Sequence, residues 1–252
     1  MDKFEDVVAV VTGAANGIGR QIALGLSDLG MRLALVDFDA EGLHETAALI
    51  SRPARSYPAD VSDPAAVAAT VAAVAEDLGA PGLLVTSAGS LGPLLPAVWD
   101  LTPQDWAEVF GTNLYGSVNF VRALVPLMRS AARPAHIVTI ASLVGMISDG
   151  RVGAYTAAKH ALVSFTETLR LQLAASAPDI GVTLVCPGGV PTKLNAAIRS
   201  GAALSSSGDW LTPEEVAHKV IEAVRRNDFY VFTHPSSQER LRNYQKALLD
   251  SF

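Results

Sequence analysis

The chain has 252 residues, of which half are apolar and 17% are charged, and its formal net charge is −6. This composition is typical of a folded globular protein, and the lack of any Lys/Arg-rich run disfavours a nucleic-acid or anionic-membrane surface. Cys186 is the only cysteine and the five histidines are scattered, which excludes an internal disulfide and disfavours a bound metal.

The N-terminal residues 1–6 are acidic and lead directly into an apolar run, which is not the pattern of a signal peptide. No apolar run approaches the roughly 20 residues that a membrane-spanning helix needs. We therefore expect a cytoplasmic protein.

In chain order, short runs rich in Val, Ile and Leu alternate with longer stretches of helical character. Runs with little polar alternation suit strands that are covered on both faces, as in a parallel sheet. The predicted strands are residues 7–11, 33–36, 83–85, 137–140 and 182–185, with 229–233 as a sixth and 55–57 as a weak one. Helix starts are predicted at Asp63-Pro64, Thr102-Pro103 and Thr212-Pro213. The alternation predicts one α/β domain over residues 1–252, with a doubly wound sheet and helices on both of its faces.

Residues 12–19, Thr-Gly-Ala-Ala-Asn-Gly-Ile-Gly, run from the first predicted strand into a helix. Glycines at such a turn let the backbone approach a pyrophosphate, and the helix N-terminus offers N–H groups and positive dipole character to the anion. Three residues separate Gly13 from Gly17, whereas the general dinucleotide fingerprint has one. On its own, this turn is therefore weak evidence for a dinucleotide.

An acid ends the second predicted strand. Asp37 can accept hydrogen bonds from a ribose diol and would repel a 2′-phosphate, and a helix N-cap is the alternative interpretation. Phe38 rather than Arg follows it, and no Lys or Arg lies between Gly13 and Gly19. The pattern favours NAD over NADP.

Tyr155 and Lys159 are four residues apart and fall on one face of a predicted helix. A phenol with a pKa near ~10 is a poor base at neutral pH, and an adjacent ammonium lowers that pKa. Ser142 follows a buried strand, so its hydroxyl should lie at the carboxyl edge of the sheet, where doubly wound folds bind ligands. These residues predict a proton-transfer site, with an ordinary strand-end serine as the alternative for Ser142.

Further motifs accompany these residues in order along the chain. The set comprises Thr12-Gly13, Gly17, Gly19, Asp60, Ala88-Gly89, Asn113, Ser142, Tyr155, Lys159 and Pro187-Gly188-Gly189-Val190-Pro191-Thr192. Jointly it closely resembles the short-chain dehydrogenase/reductase family in its standard size of about 250 residues, over about residues 7–192. The resemblance implies a Rossmann fold with about seven parallel strands. It also implies an oxidoreductase that interconverts an alcohol and a ketone or aldehyde by hydride transfer.

The resemblance also implies the role of each catalytic residue. Tyr155 would be the general acid/base, Ser142 would orient the substrate oxygen, and Lys159 would hold the nicotinamide ribose and lower the Tyr155 pKa. Asn113 would position a water that relays protons from Lys159 to solvent.

Residues for the cofactor and the substrate are implied in the same way. Asp60 and Val61 would contact the adenine, Gly89 would pass near the adenosine ribose, and Val190 with Thr192 would hold the carboxamide. The implied cofactor-binding residues are Gly13, Asn16, Gly17, Ile18, Gly19, Asp37, Asp60, Val61, Ala88, Gly89, Tyr155, Lys159, Pro187, Gly188, Val190 and Thr192. The implied substrate-binding residues are Ser142, Val144, Tyr155 and Gly189.

One motif departs from the family. Asn-Asn-Ala-Gly usually follows the fourth strand, and this chain has Thr86-Ser87-Ala88-Gly89. Those asparagines help to fix the strand and the backbone beside the cofactor, so cofactor affinity depends on whether Thr and Ser hydroxyls replace them.

The substrate pocket is expected to be apolar. Its predicted lining is residues 90–98, 143–147 and 193–209 with Trp210, and Arg151, Lys193 and Arg199 are the few charges available. This lining predicts an uncharged, fairly apolar alcohol/ketone pair. Residues 193–211, long and rich in Ala, Ser and Gly, predict a substrate loop or lid. Trp99, Trp106 and Trp210 are interpreted as packing residues.

Two other functions stay open: a dinucleotide-binding regulatory scaffold, and a reductase that acts on C=N or C=C bonds. No metal, nucleic acid or membrane partner is expected. Family analogy implies a homotetramer or homodimer joined through the helices that follow Thr102 and Tyr155.

Overall fold

The strands contain the apolar runs that stand out in the sequence. The computed structural model describes residues 4–94, 96–194 and 210–251. Within these residues the strands are β1 (Val8–Thr12), β2 (Arg32–Asp37), β3 (Ala54–Pro58), β4 (Leu83–Thr86), β5 (Ala135–Ile140), β6 (Ile180–Cys186) and β7 (Tyr230–Phe232). They form one sheet in the order β3-β2-β1-β4-β5-β6-β7, and every neighbouring pair is parallel. The strand order reverses between β1 and β4, which is where doubly wound sheets bind ligands.

The helices begin where capping residues predict them. Asp63 accepts a hydrogen bond from the Ala65 N–H, and Thr102 and Thr212 each form a capping box. The helices are α1 (Gly17–Asp28), α2 (Ala40–Ala48), α3 (Pro64–Leu78), α4 (Pro103–Phe110), α5 (Gly116–Ser130), α6 (Gly153–Ser176), α7 (Pro213–Arg226) and α8 (Pro235–Leu249). A π-helical turn (Gly111–Tyr115) joins α4 to α5, and a 3₁₀ turn (Leu143–Gly145) follows β5.

Successive strand residues pack against opposite faces of the sheet. Ala9 and Val11 belong to an apolar cluster with α1, α2 and α7, whereas Val8 and Val10 belong to one with α3, α5 and α6. Because both faces are covered, apolar side chains are favoured at every strand position, which explains the uninterrupted apolar runs.

The predicted fold class, a doubly wound parallel sheet with helices on both faces, is confirmed. The extent of the domain, residues 1–252, stays a prediction. Most of the predicted lid lies outside the described residues, because 195–209 are not among them. Of the helices that the structure describes, none has the length and apolarity needed to cross a bilayer.

Candidate active site

A cavity of about 860 Å³ lies along the carboxyl edge of the sheet, lined by the loops that follow β1 to β6. Its volume is within the range of roughly 300–1,000 Å³ that small-molecule and cofactor sites occupy. Asp37 and Asp60 mark what we call the acidic end, beside β2 and β3. Ser142, Tyr155 and Lys159 mark the proton-transfer end, beside β5 and β6.

Two glycines bring the turn after β1 close to neighbouring backbone. Gly13 has φ +66°, and a Cβ on it would lie 2.7 Å from backbone atoms of Ser87 and Ala88. A Cβ on Gly19 would overlap the carbonyl oxygen of Gly13. Only hydrogen fits at either position, so the turn packs tightly enough to place its backbone along the cavity.

The N-terminus of α1 opens beside the same cavity. Asn16 is the N-cap residue, and within the described chain its side chain makes no capping bond. Asn16, Gly17 and Ile18 line the cavity. The first N–H groups of α1 therefore offer a site for an anion such as a pyrophosphate.

Asp37 is buried at the acidic end and connects two segments. Its carboxylate accepts hydrogen bonds from the backbone N–H groups of Ala15 and Asp39, both at 3.1 Å. The N-cap of α2 is Asp39, which accepts from the Gly42 N–H. The alternative interpretation of Asp37 as a helix cap is therefore wrong, and its carboxylate lines the cavity instead.

Two cations contact the segments that flank Asp37, and both are paired with acids. Arg20 donates to the Ala15 carbonyl and lies 2.8 Å from Glu45. Lys193 lies 3.7 Å from Asp39. These pairs reduce the positive charge available to a 2′-phosphate at this end.

The loop after β3 completes the acidic end. Asp60 accepts from the N–H and the hydroxyl of Ser62, each at 2.8 Å. Val61 is buried, and its carbonyl accepts from the Asn119 amide at 3.0 Å. Both residues line the cavity, as predicted from the resemblance, while their contact with an adenine stays a prediction.

The end of β4 is fixed by hydroxyl groups in place of the family's asparagines. The Thr12 hydroxyl accepts from the N–H groups of Ser87 and Ala88, at 3.1 and 3.2 Å. The Thr86 hydroxyl accepts from Ser117 at 3.0 Å. The Thr86 hydroxyl is therefore bonded at the end of β4, while the bonds to the Ser87 and Ala88 backbone come from Thr12 on β1, a contribution that was not predicted.

Tyr155 and Ser142 meet at the proton-transfer end. Tyr155, in the first turn of α6, is 8% exposed, and its phenol lies beside the Ser142 side chain. The Ser142 oxygen accepts from the Val144 N–H at 3.4 Å, which orients the hydroxyl. Burial raises the pKa of Tyr155 to about 12, and the Ser142 side chain lowers it only in part.

Lys159 lies one helical turn after Tyr155 and is 3% exposed. Its Nζ donates to the Ile140 carbonyl at the end of β5, at 2.9 Å, and lies 5.5 Å from the centroid of the Tyr155 ring. Burial lowers the pKa of Lys159 to about 8. Burial of the phenol sets the net shift of the Tyr155 pKa, which is upward, and the lowering of this pKa by Lys159 stays a prediction.

Asn113 lies in the π-helical turn and is fully buried. Its amide group donates to the carbonyls of Ser90 and Val109, at 2.6 and 2.8 Å. A Cβ on Gly89 would lie 3.1 Å from the Asn113 Oδ1 and 4.0 Å from the Lys159 Nζ, so Gly89 lies beside both groups. Such π-helical turns often occur at functional sites. The water relay assigned to Asn113 stays a prediction.

Residues 187–192 form the wall of the cavity between its two ends. The Leu143 N–H donates to the Pro187 carbonyl at 2.8 Å, next to Ser142, and Thr192 packs against Gly17. Pro187, Gly188, Gly189, Val190 and Thr192 all line the cavity. This loop therefore connects the proton-transfer end to the glycine turn.

His234 was missed by the sequence analysis. It is 1% exposed, and both of its ring nitrogens form hydrogen bonds with the backbone of Gly188 and Gly189. No local pattern marks it, because it follows β7, more than 40 residues after the loop that it contacts.

The substrate side of the proton-transfer end is mainly apolar. Its lining includes Leu91, Leu94, Leu143, Val144, Val152, Leu194 and Trp210. The predicted lining was partly wrong: Val98 borders a second, smaller groove, and Gly145 packs against the backbone of Lys159. The interpretation of the tryptophans as packing residues fits Trp106, which is half-buried. It is wrong for Trp99, which is 83% exposed, whereas Trp210 lines the cavity.

Two of the charges at this end, Arg151 and Asp149, are paired with each other. Arg151 bonds to Asp149 through two nitrogens, and this hydrogen bonding holds the pKa of Asp149 below its usual value, with a smaller contribution from Arg240. Arg240, from α8, and Glu108 also line the cavity and were not predicted to do so. Arg199 lies outside the described residues.

Comparisons with known proteins agree with this geometry. A family model described as short chain dehydrogenase matches residues 7–203. The chain is 32% identical over 239 residues to 1-deoxy-11-beta-hydroxypentalenate dehydrogenase of Streptomyces exfoliatus, covering 93% of this chain and 86% of that protein. It is 33% identical over 194 residues to 2,3-dihydro-2,3-dihydroxybenzoate dehydrogenase of Bacillus subtilis, covering 76% and 72%. The structure is similar to a short chain dehydrogenase/reductase from Burkholderia phymatum in complex with NAD, with TM-score 0.91, 33% identity and coverage of 100% and 97%.

Proposed function

Because the chain belongs to the short-chain dehydrogenase family, we propose that it is an NAD(H)-dependent alcohol dehydrogenase or carbonyl reductase with Tyr155 as proton donor and acceptor. The observation that carries this proposal is that Ser142, Tyr155 and Lys159 line one cavity, with the Ser142 side chain beside the phenol and the Lys159 Nζ 5.5 Å from the centroid of the Tyr155 ring. A phenol, a hydroxyl and an ammonium in one buried site suit proton transfer to a carbonyl oxygen.

The residues of the cavity fit a nicotinamide dinucleotide. The tight turn at Gly13 and Gly19 and the open N-terminus of α1 suit a pyrophosphate, and the Asp37 carboxylate suits a ribose diol. Asp37 together with the acid-paired Arg20 and Lys193 disfavours a 2′-phosphate, which supports NAD over NADP. Lys159 and Tyr155 would hold the nicotinamide ribose. When bound, the dinucleotide supplies the hydride chemistry.

The chain's own residues supply orientation and proton transfer. The raised pKa of Tyr155 keeps the phenol protonated at neutral pH, ready to donate to a carbonyl oxygen that Ser142 holds. In alcohol oxidation Tyr155 must first lose this proton, so the reaction should accelerate as pH rises. Lys159 stabilises the phenolate that remains after donation, and Asn113 shapes the path by which a proton returns from solvent.

We propose an uncharged, fairly apolar substrate. The leucines and valines beside Ser142 form an apolar surface, and Arg151 is already held by Asp149. A carboxylate or phosphate on the substrate would therefore have to compete with Asp149 for this guanidinium. Reduction of a C=N or C=C bond, or a purely regulatory function, has no specific support in the geometry.

The test is a panel of ketones, aldehydes, imines and enones, read by cofactor absorbance with NADH and NADPH in parallel. The reverse reaction is run with secondary alcohols at alkaline pH. We expect turnover of uncharged ketones with NADH in preference to NADPH. Turnover restricted to acidic or phosphorylated substrates would contradict the substrate class. Cofactor binding without turnover of any carbonyl would favour the scaffold.

We also propose that the protein is cytoplasmic and forms a homodimer or homotetramer through the helices that follow Thr102 and Tyr155. Exposed apolar side chains on these helical segments, Tyr115 at 54% and Leu171 at 66% exposure, support an interface there. Sedimentation velocity measures the assembly state directly.

A further inference from the structure

We propose that His234 is a positioning residue that holds the Gly188–Gly189 backbone in place for the nicotinamide end of the cofactor. This inference rests on the proposed function for the identity of the ligand. The observation behind it involves only residues of this chain. A buried imidazole forms hydrogen bonds through both of its nitrogens to one cavity-lining loop.

The backbone partners assign the tautomer of the ring. The Gly188 N–H can only donate, so the Nδ1 of His234, at 3.0 Å, must accept and is unprotonated. The Gly189 carbonyl can only accept, so the Nε2, at 2.9 Å, must carry the proton. His234 therefore acts as a neutral clamp with one acceptor and one donor, matched to two successive peptide groups.

The packing of the ring makes the clamp specific to this loop. A Cβ on Gly188 would lie 3.0 to 3.2 Å from three atoms of the His234 ring, so the glycine lets the backbone rest on the imidazole. The Thr233 hydroxyl donates to the same Nδ1 at 2.7 Å and further restricts the ring. Because Pro235 then starts α8, the backbone that carries His234 is itself held at a helix start.

The position of the clamp along the cavity decides which part of the ligand it affects. The loop lies between Leu143, next to Ser142, and Thr192, which packs on Gly17. His234 contacts the loop at Gly188 and Gly189, on the side of the proton-transfer end. Asp37 and Asp60 lie at the other end of the cavity. Loosening the clamp should therefore weaken binding of the nicotinamide half and leave the adenosine half unaffected.

Three variants separate the two hydrogen bonds. His234→Phe keeps a ring and removes both bonds. His234→Asn keeps an acceptor near the Nδ1 position, and His234→Gln keeps a donor near the Nε2 position. The matched control is His136→Gln, which changes another buried histidine, located at the amino end of β5 away from the cavity.

Calorimetric titration with two probes, NADH and ADP, gives the first readout. We expect His234→Phe to raise the Kd for NADH about tenfold, and His234→Asn and His234→Gln to raise it about threefold each, with the ADP Kd unchanged. His136→Gln should change neither Kd. Equal weakening of NADH and ADP binding by His234→Phe would mean general damage to the fold and would overturn the proposal, as would no change in the NADH Kd.

Amide hydrogen exchange of Gly188 without cofactor gives the second readout, which does not depend on the proposed function. We expect exchange at least about tenfold faster in His234→Phe and in His234→Gln, and near wild-type protection in His234→Asn, which retains the acceptor. If the wild-type chain binds ADP but not NADH and reduces no carbonyl, the proposed function fails, and Gly188 exchange alone decides the clamp. Unchanged exchange in His234→Phe would overturn the clamp whatever the ligand.

Discussion

A buried basic side chain lies at each end of β5: His136, in the strand, at the amino end and Lys159, from α6, at the carboxyl end. The two side chains have different surroundings. At the amino end, the His136 Nε2 bonds to the Thr183 hydroxyl at 2.8 Å, and Thr183 donates to the Asp228 carbonyl at 2.8 Å. Since the Thr183 proton is used on that carbonyl, Thr183 accepts from His136, and the chain of hydrogen bonds ends on backbone.

At the carboxyl end, Lys159 donates to the Ile140 carbonyl and also lines the cavity beside Tyr155. An ammonium has three protons, so after this bond Lys159 has donors left to direct toward a ligand. Burial lowers the pKa at both places, to about 4 for His136 and to about 8 for Lys159. Burial alone therefore does not identify a functional base; an opening to the cavity does.

The largest effect should come from removing the cavity-facing charge. Lys159→Met removes the ammonium that stabilises the Tyr155 phenolate while keeping an unbranched buried side chain, and we expect kcat to fall about a hundredfold or more. The free energy of unfolding should change by no more than about 1 kcal/mol, because loss of the Ile140 hydrogen bond is offset by relief from burying a charge. Steady-state kinetics with denaturant unfolding checks both. A stable variant with normal kcat would contradict the distinction between the two ends.

A substitution of His136, at the amino end of β5, should change the stability of the protein instead of its activity. The pKa of His136 is about 4 when folded and about 6.5 when unfolded, so the unfolded state binds more protons over this interval. The contribution of His136 to the free energy of unfolding is therefore fully present above about pH 6.5. About 3 kcal/mol of it is lost as the pH falls through 4. His136→Gln cannot titrate and keeps a donor for Thr183, so the stability gap between wild type and variant should shift by this amount between pH 7 and pH 4.

Equilibrium unfolding in urea at several pH values measures that gap. A pH-independent gap for His136→Gln would mean that the buried ring is protonated as readily as a free one.

Most of the fold was predictable from local sequence patterns. Strand runs such as residues 137–140 and helix starts such as Thr212-Pro213 were readable because burial on both faces and capping each leave a short-range pattern. Five of the observed strands extend these runs by one to three residues, as β5 does back to Ala135, whereas β1 is shifted by one residue and β7 is shorter than its predicted run. Strand ends carry residues such as His136, whose partner Thr183 lies on another strand, so local hydropathy does not mark them.

The site was predictable where its residues form a compact motif. Ser142, Tyr155, Lys159 and the glycine turn do meet at one cavity. His234 and Arg240 were not predictable, because neither belongs to a local pattern: His234, just before α8, contacts the cavity-lining loop, and Arg240, in α8, lines the cavity. The pKa of Tyr155 was missed for another reason: sequence spacing places Lys159 near the ring but does not reveal how deeply the phenol is buried.

The most direct test of the central claim is the turnover of Tyr155→Phe with NADH and a ketone that the wild type reduces. We expect kcat to fall about a thousandfold or more, since the proton donor is lost, while the Kd for NADH stays within about threefold. Reduction at the wild-type rate by this variant would contradict the role of Tyr155, because the carbonyl oxygen would then be receiving its proton from another group.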